Sequence, residues 1–94
     1  MYKLIYKTGK AGKEKVFAPI GNMITPDLIE TAFNTFEGFC DNAVYKKFGF
    51  GLVEHEDTET PAGAIAARKF IGKSCLIFDK PIIWTAVIVE SVTE

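Results

Sequence analysis

The residue best suited to acid–base or metal chemistry is His55, the single histidine of the 94-residue chain. It lies in an acidic stretch, 54–59. Neighbouring residues of an extended segment face opposite ways, so only His55 and Asp57 converge there. A metal site would need a third ligand from Asp41 or Asp79, and no ligand-spacing motif supports one. We therefore interpret 54–59 as a solvated turn and predict no metal and no cofactor.

Nucleophilic and phosphate-binding chemistry have equally little support. Cys40 and Cys75 lack metal-ligand spacing and are too few for a disulfide framework, so we interpret both as free, mostly buried thiols. The tripeptide 72–74, Gly-Lys-Ser, ends like a phosphate-binding loop, but Ala67 stands where that loop requires glycine. We assign no catalytic residue and predict a protein that is not an enzyme.

Composition limits the classes of function further. Hydrophobic residues make up 48% of the chain, which favours a single folded domain over 1–94. The formal net charge of -1 provides no basic field, so nucleic acid is an unlikely partner. The apolar run 82–89 is too short to span a bilayer, and the N-terminus does not resemble a secretory signal. These features predict a cytoplasmic protein with no membrane partner.

The first half of the chain indicates a hairpin and a helix. Alternation over 2–7 and a turn-rich segment before 15–18 predict two antiparallel strands. Thr25 followed by Pro26 and Asp27 is a helix start, and apolar residues at steps of three and four predict a helix that ends near Gly38.

The second half indicates further strands and a second helix. Residues 43–54 suggest extended structure, 62–70 a weaker helix after Thr60-Pro61, and 74–78 with 82–92 a closing pair of strands. This order predicts an α+β fold: a small open sandwich, in which an antiparallel sheet carries two helices on one face, of ferredoxin-like type.

The octamer 48–55, Phe-Gly-Phe-Gly-Leu-Val-Glu-His, resembles the RNP1 motif of the RNA recognition motif family, and the surrounding order of elements is similar over about 15–79. The resemblance implies a βαββαβ-like fold and single-stranded RNA binding, with Phe17 and Phe50 as platforms for base stacking. Because Phe48 replaces the family's basic residue and Leu52 one of its aromatics, we interpret the likeness as one of fold.

The C-terminal strand carries the main functional prediction. Apart from Thr85, both of its alternating sets are apolar, and a sheet with helices on one face leaves the other face to water. We therefore predict a small non-enzymatic binding module that self-associates through its sheet, either by that face or by the edge of this strand, most simply as a dimer. The candidate interface consists of Phe48, Phe50, Leu52, Ile82, Trp84, Ala86 and Ile88.

Two further interpretations of the sequence remain open. One is a small-ligand pocket between the sheet and the helices, lined by Tyr45, Gly49, Gly51 and His55. The other follows from charge: residues 1–15 carry five lysines and one glutamate, and 54–59 carry four acids. This segregation is compatible with solvated turns, with a contact between subunits or with a protein partner.

Overall fold

The computed structural model describes residues 1–49, 51–73 and 81–90. These residues form an antiparallel five-stranded sheet with a single long helix packed against it. The order of strands across the sheet is β2-β1-β5-β4-β3. In chain order the elements are β1 (Tyr2–Thr8), β2 (Lys15–Gly21), α1 (Pro26–Phe48), β3 (Leu52–Asp57), β4 (Ala64–Lys73) and β5 (Ile82–Glu90).

The N-terminal hairpin is confirmed. Strands β1 and β2 pair antiparallel, with Ile5 opposite Val16. β2 continues through Pro19 to Gly21, beyond the end that the proline predicted. Proline is tolerated because β2 is an edge strand of the sheet, where a missing N–H donor need not break a ladder.

The helix α1 begins as predicted but ends ten residues later than predicted, at Phe48 rather than Gly38. The Thr25 hydroxyl accepts a hydrogen bond from the Leu28 N–H at 3.2 Å, and Pro26 follows this cap. The true C-terminal cap is Gly49, which has φ 83° and donates its N–H to the Tyr45 carbonyl. Cys40 and Val44 extend the buried stripe past Gly38, so 43–48 is helical and the predicted strand there is wrong.

The prediction of a second helix over 62–70, and with it the two-helix ferredoxin-like arrangement, is wrong. Residues 64–73 form β4, which pairs with β5 on one side and β3 on the other. Alanine, arginine and lysine favour helix locally, but pairing and burial override that propensity. Arg68 and Phe70 point towards the helix, where the Arg68 guanidinium lies 4.9 Å from the Phe33 ring centre and bonds Asp57 at 2.9 Å.

The core lies between α1 and the sheet. Its centre is Phe36, which is fully buried and contacts the rings of Tyr6 at 5.0 Å, Phe17 at 5.1 Å and Phe70 at 5.2 Å between ring centres. The other fully or almost fully buried members are Leu4, Phe33, Cys40, Val44, Trp84, Ala86 and Ile88.

Two other sequence predictions bear on the strands. The acidic segment predicted as a turn is partly strand, because 54–57 lie within β3. The predicted strand 74–78 and the last residues of the predicted strand 82–92 lie outside the described residues. In the described part of the chain, no helix has the length and apolar character needed to cross a membrane.

Candidate functional site

The face of the sheet opposite α1, called the open face below, is the most distinctive surface of the molecule. Strand pairing places side chains on it in rows that run across the strands. Ile5, Val87 and Ala67 stand opposite one another on β1, β5 and β4. The next row comprises Lys7, Thr85, Lys69 and Glu56, and the row after that Ile83, Ile71 and Glu54.

Apolar side chains lie on the open face to both sides of the row that contains Thr85 and Lys69. Ile5, Ile71, Ile83 and Val87 are half-buried by their neighbours in the sheet, and Val89 continues the band along β5. Among residues 1–49, 51–73 and 81–90, no helix or strand packs on this face, since α1 lies on the other one. The open face therefore combines apolar side chains with access to solvent.

Charged side chains border this apolar band with opposite signs. On one side, Lys3 and Lys7 of β1 flank Ile5. On the other side, the carboxylates of Glu54 and Glu56 on β3 stand at 3.0 and 3.4 Å from the ammonium groups of lysines on β4. Both glutamate side chains are still more than half exposed, at 54% and 61%. They can therefore accept further cationic partners.

One end of the open face is concave. A cavity of about 460 Å³ has Ile5, Val87 and Val89 among its lining residues, with Lys7 and Glu14 at its polar rim and the segment 61–64 as a wall. The cavity is open to solvent and continuous with the apolar band. Its walls make the face at this end a shaped surface, able to receive side chains from a partner.

Both edges of the sheet are protected against pairing with another strand. β2, at one edge, contains Pro19, which lacks an N–H donor. β3, at the other edge, carries an unbroken polar run over 54–57, Glu-His-Glu-Asp. Proline and charge on edge strands oppose edge-to-edge association. A contact through the sheet is therefore favoured at its face.

The structure separates the residues of the predicted interface. Trp84, Ala86 and Ile88 lie in the core beneath α1, with exposed fractions of 4%, 0% and 0%, and Ile82 packs against that core. Phe48 is the last residue of α1, Phe50 lies outside the described residues, and Leu52 is exposed. Leu52 is thus the only residue of that set which the described structure places on the open face.

The open face is formed by the other alternating set of β5, which includes Ile83, Val87 and Val89. The sequence showed that both sets were apolar, but it did not show which of them a helix would cover. The positions of Ile5 and Ile71 were not predicted. The only available signal for Ile5 was its place between Lys3 and Lys7, on the more polar face of an alternating strand.

The structure distributes the residues of the predicted pocket over α1, its C-terminal cap, and β3 with the residue that precedes it. Tyr45 is exposed on α1, and Gly49 caps the helix. A Cβ placed on Gly51 would stand 2.5 Å from the Val44 side chain and 2.6 Å from the Lys73 carbonyl oxygen. The space beside Gly51 is therefore filled by the helix on one side and by the backbone of β4 on the other, and this glycine permits their close approach.

His55 lies on the helix side of β3, where its Nδ1 stands 3.4 Å from a carboxylate oxygen of Glu37. Burial, followed by the charges of Asp41 and Glu37, raises the pKa of the Cys40 thiol to about 12. A thiol with so high a pKa is a poor nucleophile at neutral pH. Within the part of the chain that is described, no three potential metal ligands come together.

The stacking platform implied by the resemblance to the RNA recognition motif is not assembled among the described residues. Phe17 points into the core, where its ring packs against those of Phe36 and Phe39. Phe48 belongs to α1 rather than to a strand, and the implied βαββαβ order differs from the observed sheet with one helix.

Comparisons of the chain with protein-family models, with curated proteins and with solved structures gave no match.

Proposed function

We propose that the protein is a small non-enzymatic interaction module that self-associates through the open face of its sheet. The observation that supports this proposal is the character of β5, the central strand, which is apolar on both faces although α1 covers only one of them. Burying the second apolar face against another copy removes that surface from water.

The size of the open face predicts a weak dimer. Strands about 4.8 Å apart and about 20 Å long give a five-stranded face of roughly 500 Å² in projection. Two such faces bury at most about 1,000 Å², which is at the lower end of specific protein–protein interfaces. We therefore expect a dissociation constant in the micromolar range, roughly 1–100 µM, and a mass that depends on concentration.

A face-to-face contact also agrees with the protection of the sheet edges. Association through an edge would have to extend the ladder of β2 past Pro19 or place 54–57 against another strand. Packing through the face leaves both edges in solvent. It also resembles the way in which two sheets form a sandwich, with their inner faces about 10 Å apart.

The test replaces Val87, at the centre of the open face, with glutamate. Sedimentation velocity of the full chain from about 1 to about 500 µM should show concentration-dependent dimerisation that Val87→Glu abolishes. Met23→Glu is the matched control, because Met23 is an exposed apolar residue outside the sheet and should leave the dimer intact. Far-UV circular dichroism and a cooperative thermal transition verify that each variant is folded.

Two outcomes would contradict the proposal. A wild-type chain that stays monomeric at the highest concentration shows that the open face does not self-associate. A folded Val87→Glu variant that dimerises as well as the wild type assigns the contact to another surface.

A further inference from the structure

We propose that the two copies associate around a two-fold axis that runs parallel to the strands, between β4 and β5, so that Lys7 of each copy faces Glu56 of the other. This inference rests on the proposed self-association and specifies its geometry. It follows from the register of the open face, from the signs of its two borders and from the rules of two-fold symmetry.

Symmetry leaves two simple ways to pack the face on itself. When two sheets pack with aligned strands, the two-fold axis lies between them and runs either along or across the strands. An axis across the strands places each strand opposite its own copy. β1 would then face β1, bringing Lys3 and Lys7 against lysines, and β3 would face β3, bringing glutamates against glutamates. Like charges placed together oppose association.

An axis along the strands exchanges the two borders instead. It keeps each row at its own level and reverses the order of strands, so that β1 of one copy lies over β3 of the other. In the central row, the register partners across β1, β5, β4 and β3 are, in that order, Lys7, Thr85, Lys69 and Glu56. An axis between β5 and β4 therefore brings Lys7 opposite Glu56 of the second copy.

The same axis also pairs the apolar side chains. In the row of Ile5, it places Val87 over Ala67 of the second copy. Two rows further along, it places Ile83 over Ile71 of the second copy. A β-branched side chain over alanine and two isoleucines in contact give two apolar patches, one on each side of the central row, in which Thr85 lies over Lys69 of the second copy.

Glu56 can accept this second partner. Its carboxylate stands 3.4 Å from the Lys69 ammonium group, yet its side chain is 61% exposed. A carboxylate offers about four acceptor sites, and one ammonium group leaves most of them free. Lys7 carries no ion pair within the described residues, so the contact would not cost it an existing partner.

Complementary charge reversal tests this geometry. In a symmetric dimer the contact between Lys7 and Glu56 occurs twice, so Lys7→Glu alone and Glu56→Lys alone each create two like-charge contacts. We expect each variant to dimerise at least about tenfold more weakly than the wild type at low salt. Mixed in equal amounts, the two variants form a heterodimer with one native contact and one reversed contact, both attractive.

The readout is sedimentation velocity of each variant and of the mixture, with native mass spectrometry to identify the heterodimer. Lys13→Glu, a charge reversal in the connection between β1 and β2, is the control and should leave the dimer unchanged. Weaker dimerisation of each single variant, together with recovery of dimer on mixing, supports the axis along the strands. A Lys7→Glu variant that dimerises as well as the wild type, or more tightly, overturns it, because an axis across the strands places Lys7 against lysines and the reversal then costs no attractive contact.

The result separates this inference from the proposed function. If wild type and Met23→Glu dimerise, Val87→Glu does not, and mixing the charge variants restores nothing, the open face is the interface and only its geometry is wrong. If the wild type never dimerises, the proposed function itself fails.

Discussion

Two glycines in and after α1 provide a sharp test of the fold, because the same substitution is expected to have opposite effects. Gly38 lies inside the helix, and a Cβ added there meets no atom within 4 Å. Glycine in a helix interior is less stable than alanine by roughly 0.5–1 kcal/mol, owing to its larger loss of backbone entropy. Gly38→Ala should therefore raise the free energy of unfolding by about 0.5–1 kcal/mol.

Gly49→Ala should do the reverse. Gly49 has φ 83°, in the left-handed region, and its added Cβ would also meet open space. The cost is thus conformational, at about 1–2 kcal/mol for a residue with a side chain in this region. This left-handed conformation lets the Gly49 N–H donate a hydrogen bond to the Tyr45 carbonyl, with 2.8 Å between nitrogen and oxygen.

Thermal and urea unfolding, followed by circular dichroism at one protein concentration, measure both effects. For a domain of this size, about 1 kcal/mol corresponds to a shift of roughly 4–8 °C in Tm. Gly38→Ala should unfold at a higher temperature than the wild type and Gly49→Ala at a lower one. The double variant should show the sum, because about 16 Å of helix separates the two sites. If Gly38→Ala destabilises the protein and Gly49→Ala does not, the helix ends at Gly38 and the reasoning is refuted.

Two further predictions concern the core. A Cβ on Gly72 would clash with the Val44 side chain and stand 3.0 Å from the Trp84 ring. Gly72→Ala should therefore lower the free energy of unfolding, measured by urea titration, by about 1–3 kcal/mol. A stabilised variant would contradict this packing. In a Cys75→Ser variant, Cys40 should react with a thiol reagent at pH 8 far more slowly in the native protein than in denaturant, and equal rates would contradict its burial. Folding raises the pKa of the Cys40 thiol from 9.0 to about 12, so between these pH values the folded chain keeps the thiol proton and the unfolded chain loses it. The contribution of this thiol to the free energy of unfolding is therefore complete below about pH 9 and decreases as the pH rises towards 12.

The start of the helix and the N-terminal hairpin could be predicted because local chemistry determines them. Thr25 and Pro26 form a cap that needs no tertiary contact, and the alternation of 2–7 reports which side is buried. The end of the helix was harder to predict. Glycine is both a common helix stop and a tolerated interior residue, and the apolar positions that continue the helix, Cys40 and Val44, lie beyond it.

Neither the strand β4 nor the site could be predicted from the sequence, and the physical reasons differ. In 64–73, alanines occupy both faces, so the alternation of Arg68 and Phe70 with Lys69 and Ile71 is visible only over the last half of the strand. Helix propensity then dominates the local pattern. At the site, the two faces of β5 are equally apolar, and the choice between them depends on which side α1 packs against. Which face α1 covers depends on how the whole sheet is assembled, and no local sequence pattern contains that information.

The position of β5 in the sheet favours one of the two routes of self-association that the sequence left open, a strand edge or a sheet face. β5 lies third in the order β2-β1-β5-β4-β3, so both of its edges are already paired, with β1 and with β4. Its backbone groups are therefore satisfied, and what it can still offer a partner is the apolar side chains on the open face. An edge contact would have to use β2 or β3, which carry Pro19 and the charged run 54–57. A chain that protects both edges and leaves its most apolar strand at the centre of a face that no described element covers has the features that the proposed face-to-face association requires.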